Sequence, residues 1–227
     1  MRIALIGNTG LIGRHIKKFV SVDAEYNSKN IKSIQHQKFD LIYCAAPSGN
    51  RLAATKNIKA DTQSIDLLID CLRKVETNKI ILISTSDTQI SPDSIYGYNR
   101  LRLAEFVKEN FNDHHIIKLS ALISDSITKN ILYDIKNSIY IDKINANTIS
   151  QWYPLCDLKK DLDRIVKYNI KETNLCSEPI SVQEMIDAVA PQINDKILKH
   201  TPGANYNLTP YSHTKEDIFK YMREYLK

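Results

Sequence analysis

Glycine is scarce in this 227-residue sequence, with 6 in all, roughly a third of the usual ~7% share. Other things are missing too. No run of about 18 apolar residues exists, which argues against a membrane-spanning helix. The four cysteines, Cys44, Cys71, Cys156 and Cys176, form no CxxC pair. The six histidines show no HxxxH spacing, so no metal site is expected. Free buried thiols are expected rather than disulfides. No cluster of Lys and Arg interleaved with aromatics appears, so nucleic acid is not an expected partner. The net charge of +5 is modest and scattered, and suits an anionic small molecule. Hydrophobic residues at 43% and charged ones at 25% fit an ordinary folded domain and exclude a disordered or collagen-like chain. No signal-peptide pattern precedes the first apolar run, and the expected location is the cytoplasm.

What is present is an alternation of strands and helices. Arg2 to Ile6 reads as a buried strand, and residues 11 to 20 have helical spacing. A second strand is expected over 24–27 and a short helix over 31–37. Strands follow at 39–45, 79–84 and 115–119, with helices at 61–75 and 96–110 between them. Beyond residue 120 the pattern weakens to a strand near 152–156 and a helix over 158–168. Ser181 and Glu184 form a capping box for a helix to about 189. Thr214 caps a terminal helix over 214–227. The expected fold is a doubly wound parallel α/β sheet of Rossmann type, with a small C-terminal substrate lobe. Residues 1–150 would form the dinucleotide-binding domain and 151–227 the substrate-binding portion.

Three of the six glycines stand three residues apart near the start. Gly7-Asn8-Thr9-Gly10-Leu11-Ile12-Gly13 follows a strand and opens a helix. Gly7 permits a tight turn, Gly10 lets backbone approach a pyrophosphate, and Gly13 lets helix and strand pack closely. Phosphates would then meet the helix N-terminus, where N–H groups and the dipole favour anions.

This spacing resembles the extended short-chain dehydrogenase/reductase family, in its NAD-dependent epimerase/dehydratase branch. Phe39 to Pro47 is similar to the family's fourth-strand motif, which implies that Ala45, Ala46 and Pro47 pass beneath the cofactor. Ile83-Ser84-Thr85-Ser86-Asp87 resembles the segment supplying a catalytic hydroxyl. Tyr96-Gly97-Tyr98-Asn99-Arg100, with Glu105, resembles the YGxSK…E segment. Trp152 to Leu158 and Ser177 to Ser181 resemble later segments of the family. The resemblance implies Tyr96 as acid/base, Thr85 as orienting hydroxyl, and Arg100 in the place of the lysine that binds the nicotinamide ribose. Nearby positive charge is expected to lower the Tyr96 pKa. Tyr98 with Arg102 is a competing YxxxR pair, but Tyr96 keeps Gly97 and Glu105 in register.

Three features depart from the family pattern. Arg100 keeps a cation but is planar and bulky where lysine is a point charge. Asp61 falls where the family often has Asn. Ser86-Asp87 has one carboxylate where dehydratases have an Asp–Glu pair, which argues against dehydration.

Only 25 residues separate Gly13 from Phe39. That span is too short for another strand–helix unit, so the edge strand of the order 3-2-1-4-5-6 should be absent or vestigial. No acidic residue is expected at the end of the second strand. Asn27, Ser28 and Lys29 stand there, and Lys29 would suit a 2′-phosphate, giving NADP a slight preference over NAD. Asn130, Trp152 and Tyr153 are the candidates for a substrate pocket. The expected activity is reduction of a carbonyl on a nucleotide-linked or activated sugar. An epimerase of the same fold and a non-catalytic dinucleotide-binding protein are the alternatives. Helices 61–75 and 96–110 form a dimer interface in many members of the family, so a homodimer is a possible assembly.

Overall fold

A computed structural model describes residues 1–227. Ten strands and nine α-helices occur. In chain order they are β1 (Ile3–Ile6), α1 (Leu11–Ile16), β2 (Ala24–Tyr26), β3 (Lys38–Cys44), α2 (Arg51–Lys56), α3 (Ile58–Leu72), β4 (Glu76–Thr85), α4 (Asp87–Ile90), α5 (Ile95–Asn110), β5 (His114–Leu119) and β6 (Ala121–Ile123). There follow α6 (Ile131–Lys136), β7 (Ile149–Ser150), β8 (Trp152–Pro154), α7 (Leu158–Lys167), β9 (Glu172–Leu175), β10 (Ile180–Ser181), α8 (Val182–Val189) and α9 (Lys215–Leu226).

The chain divides into two compact units. Residues 1–118 and 159–173 form the first, and 119–158 and 174–227 the second. The single boundary expected at residue 150 is therefore corrected. Helix α7 and the start of β9 belong with the N-terminal sheet, because a parallel sheet grows by strands that return after a crossover helix.

The six-stranded sheet runs β2-β1-β3-β4-β5-β9. Strand β1 pairs in parallel with β2 and β3, and β3 with β4. Strand β2 is the edge, so the missing outer strand foreseen from the short 13–39 span is absent. All four residues of β1 are buried, as a strand covered on both faces requires. In α3, Ile65, Leu68, Ile69 and Leu72 recur at helical spacing and are buried. They join Ile42, Leu82, Leu103 and Val107 in one core.

Asn57 caps α3 through Ala60 N–H at 3.0 Å, so the helix begins before the expected residue 61. Helix α1 ends at Ile16 rather than 20. Helices α2, α4 and α6, of four to six residues each, were not foreseen, since one turn or two leave no readable period.

In the second unit, β6 pairs in parallel with β8, and β7 pairs antiparallel with β10. Ser181 and Glu184 form the expected capping box of α8. Thr214 caps α9 and completes a second box with Asp217.

Candidate active site

The glycine loop joins β1 to α1. Gly7 has φ +88°, and a Cβ there would lie 2.5 Å from the Ala45 carbonyl oxygen. A Cβ on Gly13 would lie 2.1 Å from the Gly7 oxygen. The fold itself demands glycine at both. Gly10 is different. Its φ of −74° and ψ of 169° suit any residue, and a Cβ would meet only the Gly7 oxygen at 3.4 Å. Thr9 and Gly10 are exposed. Nothing in the protein requires glycine at 10, so the bare backbone there fits a ligand's approach, and the loop fits a dinucleotide pyrophosphate. Leu11 and Ile12 begin α1 half-buried.

Asn8 and Asn27 tie the loop to the end of β2. Asn8 donates to Glu25 Oε2 at 2.6 Å, and Asn27 donates to Asn8 Oδ1 at 3.3 Å. Lys17 also pairs with Glu25 at 2.7 Å. The Lys17 and Asn8 hydrogen bonds hold the Glu25 carboxyl below its ordinary range. Sequence reasoning overlooked Glu25, because it sits within β2 rather than after it. Asn27 accepts from Lys29 N–H, and its own N–H donates to Asn30, which closes a turn. Ser28 and Lys29 are exposed on that turn.

Beneath the loop, β3 leads into Ala45, Ala46 and Pro47, with a cis Ala46–Pro47 bond. Ala45 N–H donates to the Ile6 carbonyl at 2.8 Å, which fixes this segment against the end of β1.

Ser94 caps α5 through Gly97 N–H at 3.0 Å. That cap sets Tyr96 in the first turn, where its side chain is 6% exposed. Gly97 packs against the turn before it, since a Cβ there would meet the Ser91 oxygen at 2.1 Å and the Asp87 oxygen at 2.6 Å. Thr85, at the end of β4, stands beside Tyr96 and donates to Asp87 Oδ2 at 3.0 Å. Asp87 is 4% exposed and forms an ion pair with Arg51 of α2. Gly49 lies close by, its notional Cβ 3.8 Å from the Tyr96 hydroxyl. The structure thus brings Thr85, Tyr96 and Arg100 together. Tyr98, the competing tyrosine, points outward at 52% exposure with Arg102 over its ring. It lines a charged surface groove of about 670 Å³ between α3 and α5 that none of the candidate residues touches.

Arg100 is 4% exposed. Its guanidinium carbon sits 3.9 Å from the Tyr96 ring centroid. Nη1 donates to Asp61 Oδ2 at 2.5 Å and Nη2 to the Ser48 carbonyl at 2.7 Å. Asn99 also donates to Asp61 Oδ2 at 2.8 Å. Both terminal nitrogens of Arg100 are therefore engaged by protein. The expectation that positive charge would lower the Tyr96 pKa is corrected. Burial pushes the hydroxyl above its ordinary value, and the pull of Arg100 is the smaller effect.

The substrate candidates lie in the second unit. Trp152 and Tyr153 are 2% and 0% exposed and form part of its core, so neither offers a ring face for stacking. Trp152 N–H donates to Ser177 Oγ at 3.0 Å. Asn130 caps α6 by accepting from Tyr133 N–H at 3.0 Å and donates to the Leu122 carbonyl at 2.9 Å. These are structural roles. Arg51, Asp87 and Ser48 are the site residues that sequence reasoning left out of the constellation. The Ser86-Asp87 pattern was visible, but nothing local marked Arg51 as its partner.

No family model matches the chain, and no curated protein matches it significantly. Solved structures do match in fold. UDP-glucuronic acid 4-epimerase from Bacillus cereus, with a fluorinated UDP-sugar and NAD, has TM-score 0.72 at 15% identity, covering 100% of this chain and 99% of that one. UDP-glucose 4-epimerase from Thermotoga maritima, with UDP-glucose, has TM-score 0.70 at 10% identity over 100% and 97%. dTDP-4-dehydrorhamnose reductase from Bacillus anthracis, with NADP, has TM-score 0.67 at 16% identity over 99% and 96%. The Rossmann-type α/β fold implied by the motifs is thus the observed one. No helix is long and apolar enough to cross a membrane.

Proposed function

We propose that the protein is a nicotinamide-dinucleotide-dependent oxidoreductase that reduces a carbonyl on a nucleotide-linked or activated sugar. The fold is shared with UDP-sugar epimerases and a dTDP-sugar reductase. One observation favours reduction: Tyr96 is buried beside Thr85, and burial raises its pKa. A reductase needs a proton donor at the carbonyl oxygen. An epimerase must first take a proton from a hydroxyl, and a tyrosine with a raised pKa is a poor base for that step.

In this reading Gly7 to Gly13 cradle the pyrophosphate, and Ala45 to Pro47 lie along the dinucleotide. The bound cofactor supplies the hydride. Thr85 and Tyr96 hold the substrate oxygen, and Tyr96 gives it a proton. Arg100 acts on Tyr96 from its ring face rather than as a mobile donor. Lys29 favours a 2′-phosphate and Glu25 opposes one, so titration with NADH and NADPH in parallel separates the two cofactors.

The test is turnover of a dTDP- or UDP-linked 4-keto sugar with either reduced cofactor. Tyr96→Phe is expected to lose about 100-fold or more in kcat while keeping cofactor affinity. Undiminished turnover in that variant overturns the assignment. Protein purified with bound NAD, and no net consumption of added cofactor, points to epimerisation instead.

A further inference from the structure

A buried carboxylate, Asp87, lies near Tyr96, a half-buried one, Asp61, lies behind Arg100, and the chemistry above uses neither. Behind the Tyr96 ring stands Arg100, held at both ends and offset by Asp61 at 2.5 Å. A guanidinium does not give up its proton in a protein, so Arg100 is a fixed charge here. On the other side, Asp87 pairs with Arg51 through Oδ1 and accepts the Thr85 hydroxyl through Oδ2. The Arg51 side chain is 50% exposed and that of Asp87 5%. The Thr85 hydroxyl thus points at Asp87 and reaches another acceptor by rotating. Thr85 Oγ1 also accepts from the Asp87 N–H at 3.3 Å, and Tyr96 stands beside this pair. The result is a chain of contacts beside Tyr96: Thr85 O–H donates to Asp87, and Asp87 pairs with Arg51.

We propose that Asp87 and Arg51 are positioning residues for Tyr96, with Asp87 fixing the direction of the Thr85 hydroxyl and Arg51 offsetting the Asp87 charge. This rests on Tyr96 as the proton donor of the proposed reaction. The charged groups acting on Tyr96 are Arg100 from its own helix, Asp87 from α4 and Arg51 from α2, with Asp61 of α3 behind Arg100. They form two ion pairs, and their charges cancel. Once Tyr96 gives its proton to the substrate oxygen, the Thr85 hydroxyl turns from Asp87 to hydrogen-bond the phenolate. The Thr85–Asp87 hydrogen bond is exchanged for one to the phenolate, and the tyrosine recovers its proton from water after product leaves.

Because the charges cancel, removing either member of a pair should move Tyr96 in opposite senses. The probe is the ¹³Cζ signal of labelled tyrosine, assigned with Tyr96→Phe and followed against pH in the full chain. Asp87→Asn should lower the Tyr96 midpoint by about one pH unit, and Arg51→Gln should raise it by about as much. The double variant should return close to the parent, and Asp87→Glu should stay close to it. Single variants that shift together, or not at all, overturn the proposal. If Asp87→Asn fails to fold, Arg51→Gln alone decides, since its side chain is half exposed. In turnover with a dTDP-linked 4-keto sugar and NADPH, Asp87→Asn should lower kcat with cofactor KM unchanged. Failure of the parent protein to turn over any nucleotide sugar defeats the proposed function, while the tyrosine titration still reads the coupling.

Discussion

Gly10 and Gly13 differ in why they are glycine, and alanine at each separates the two reasons. At Gly10 the backbone is extended and open to any residue. The nearest atom to an added Cβ is 3.4 Å away, an ordinary contact. Gly10→Ala should therefore fold normally. It should gain about 0.4–1 kcal/mol by narrowing the unfolded ensemble, which raises Tm by roughly 2–3 °C in a chain of this size. At Gly13 the Cβ would sit 2.1 Å from the Gly7 oxygen, 2.8 Å from the Gly7 carbonyl carbon and 2.9 Å from the Asn8 Cα. All three are backbone atoms and none can swing aside. Overpacking of this kind costs about 1–3 kcal/mol or more, and Tm should fall by roughly 3–10 °C. Cofactor affinity should show the reverse emphasis in Gly10→Ala. The new methyl stands where phosphate oxygens need the backbone, and a tenfold weaker Kd corresponds to about 1.4 kcal/mol. Thermal unfolding and calorimetric titration with NADH and NADPH measure both quantities on the same samples. Unchanged affinity in a well-folded Gly10→Ala protein refutes the pyrophosphate cradle. Destabilisation of Gly10→Ala equal to that of Gly13→Ala would mean that glycine at 10 serves the fold alone.

Asp61→Ala leaves the Arg100 charge buried without its partner and should cost about 3 kcal/mol, read as a Tm loss of roughly 10 °C. Asp61→Asn with Arg100→Lys should lose less than the two single changes added together, and a double-mutant cycle in urea measures the difference. Burial lowers the His115 pKa from its ordinary 6.5, and burial likewise lowers that of His15. A depressed histidine contributes stability that is complete above about pH 6.5 and is lost as pH falls towards its folded value. His115 alone should give a slope of up to about 1.4 kcal/mol per pH unit in that window. His115→Asn keeps a donor for the Ile170 carbonyl, now 2.7 Å from Nδ1. It should remove that part of the slope in urea midpoints between pH 6.5 and 5, and an unchanged slope would count against the assignment.

The sheet was legible in the sequence because parallel strands buried on both faces are short apolar runs, and Ile3–Ile6, Lys38–Cys44 and Glu76–Thr85 all carry one. The glycine loop was legible because steric demands at Gly7 and Gly13 leave one residue type. The missing edge strand followed from counting residues. Strand β9, by contrast, reads Glu-Thr-Asn-Leu, whose first half carries no apolar signal. Backbone bonds such as Ile116 N–H to the Lys171 carbonyl hold it beside β5, and Lys118 and Lys108 meet Glu172. Trp152 is enclosed in the core of its unit, and a sequence does not say whether an aromatic ring is enclosed. The site charges were hardest to read. Arg51 and Asp87 lie 36 residues apart, and Arg100 and Asp61 lie 39 apart. No local pattern links side chains at such separations.

Those separations also change what Arg100 means. Taken singly, arginine in the lysine position and Asp61 in the place of asparagine are two departures, and each suggests a decaying site. The structure makes them one. A carboxylate buried beside α5 needs a cation, and a planar guanidinium reaches both that carboxylate and the Ser48 carbonyl where an ammonium is a single point. The pair adds no net charge, so Arg100 lowers the Tyr96 proton affinity less than an unpaired cation would. Burial therefore keeps the Tyr96 proton affinity raised, which suits the proposed proton donor. The paired substitution is thus better explained as a site biased towards giving a proton than as a site that has lost its chemistry.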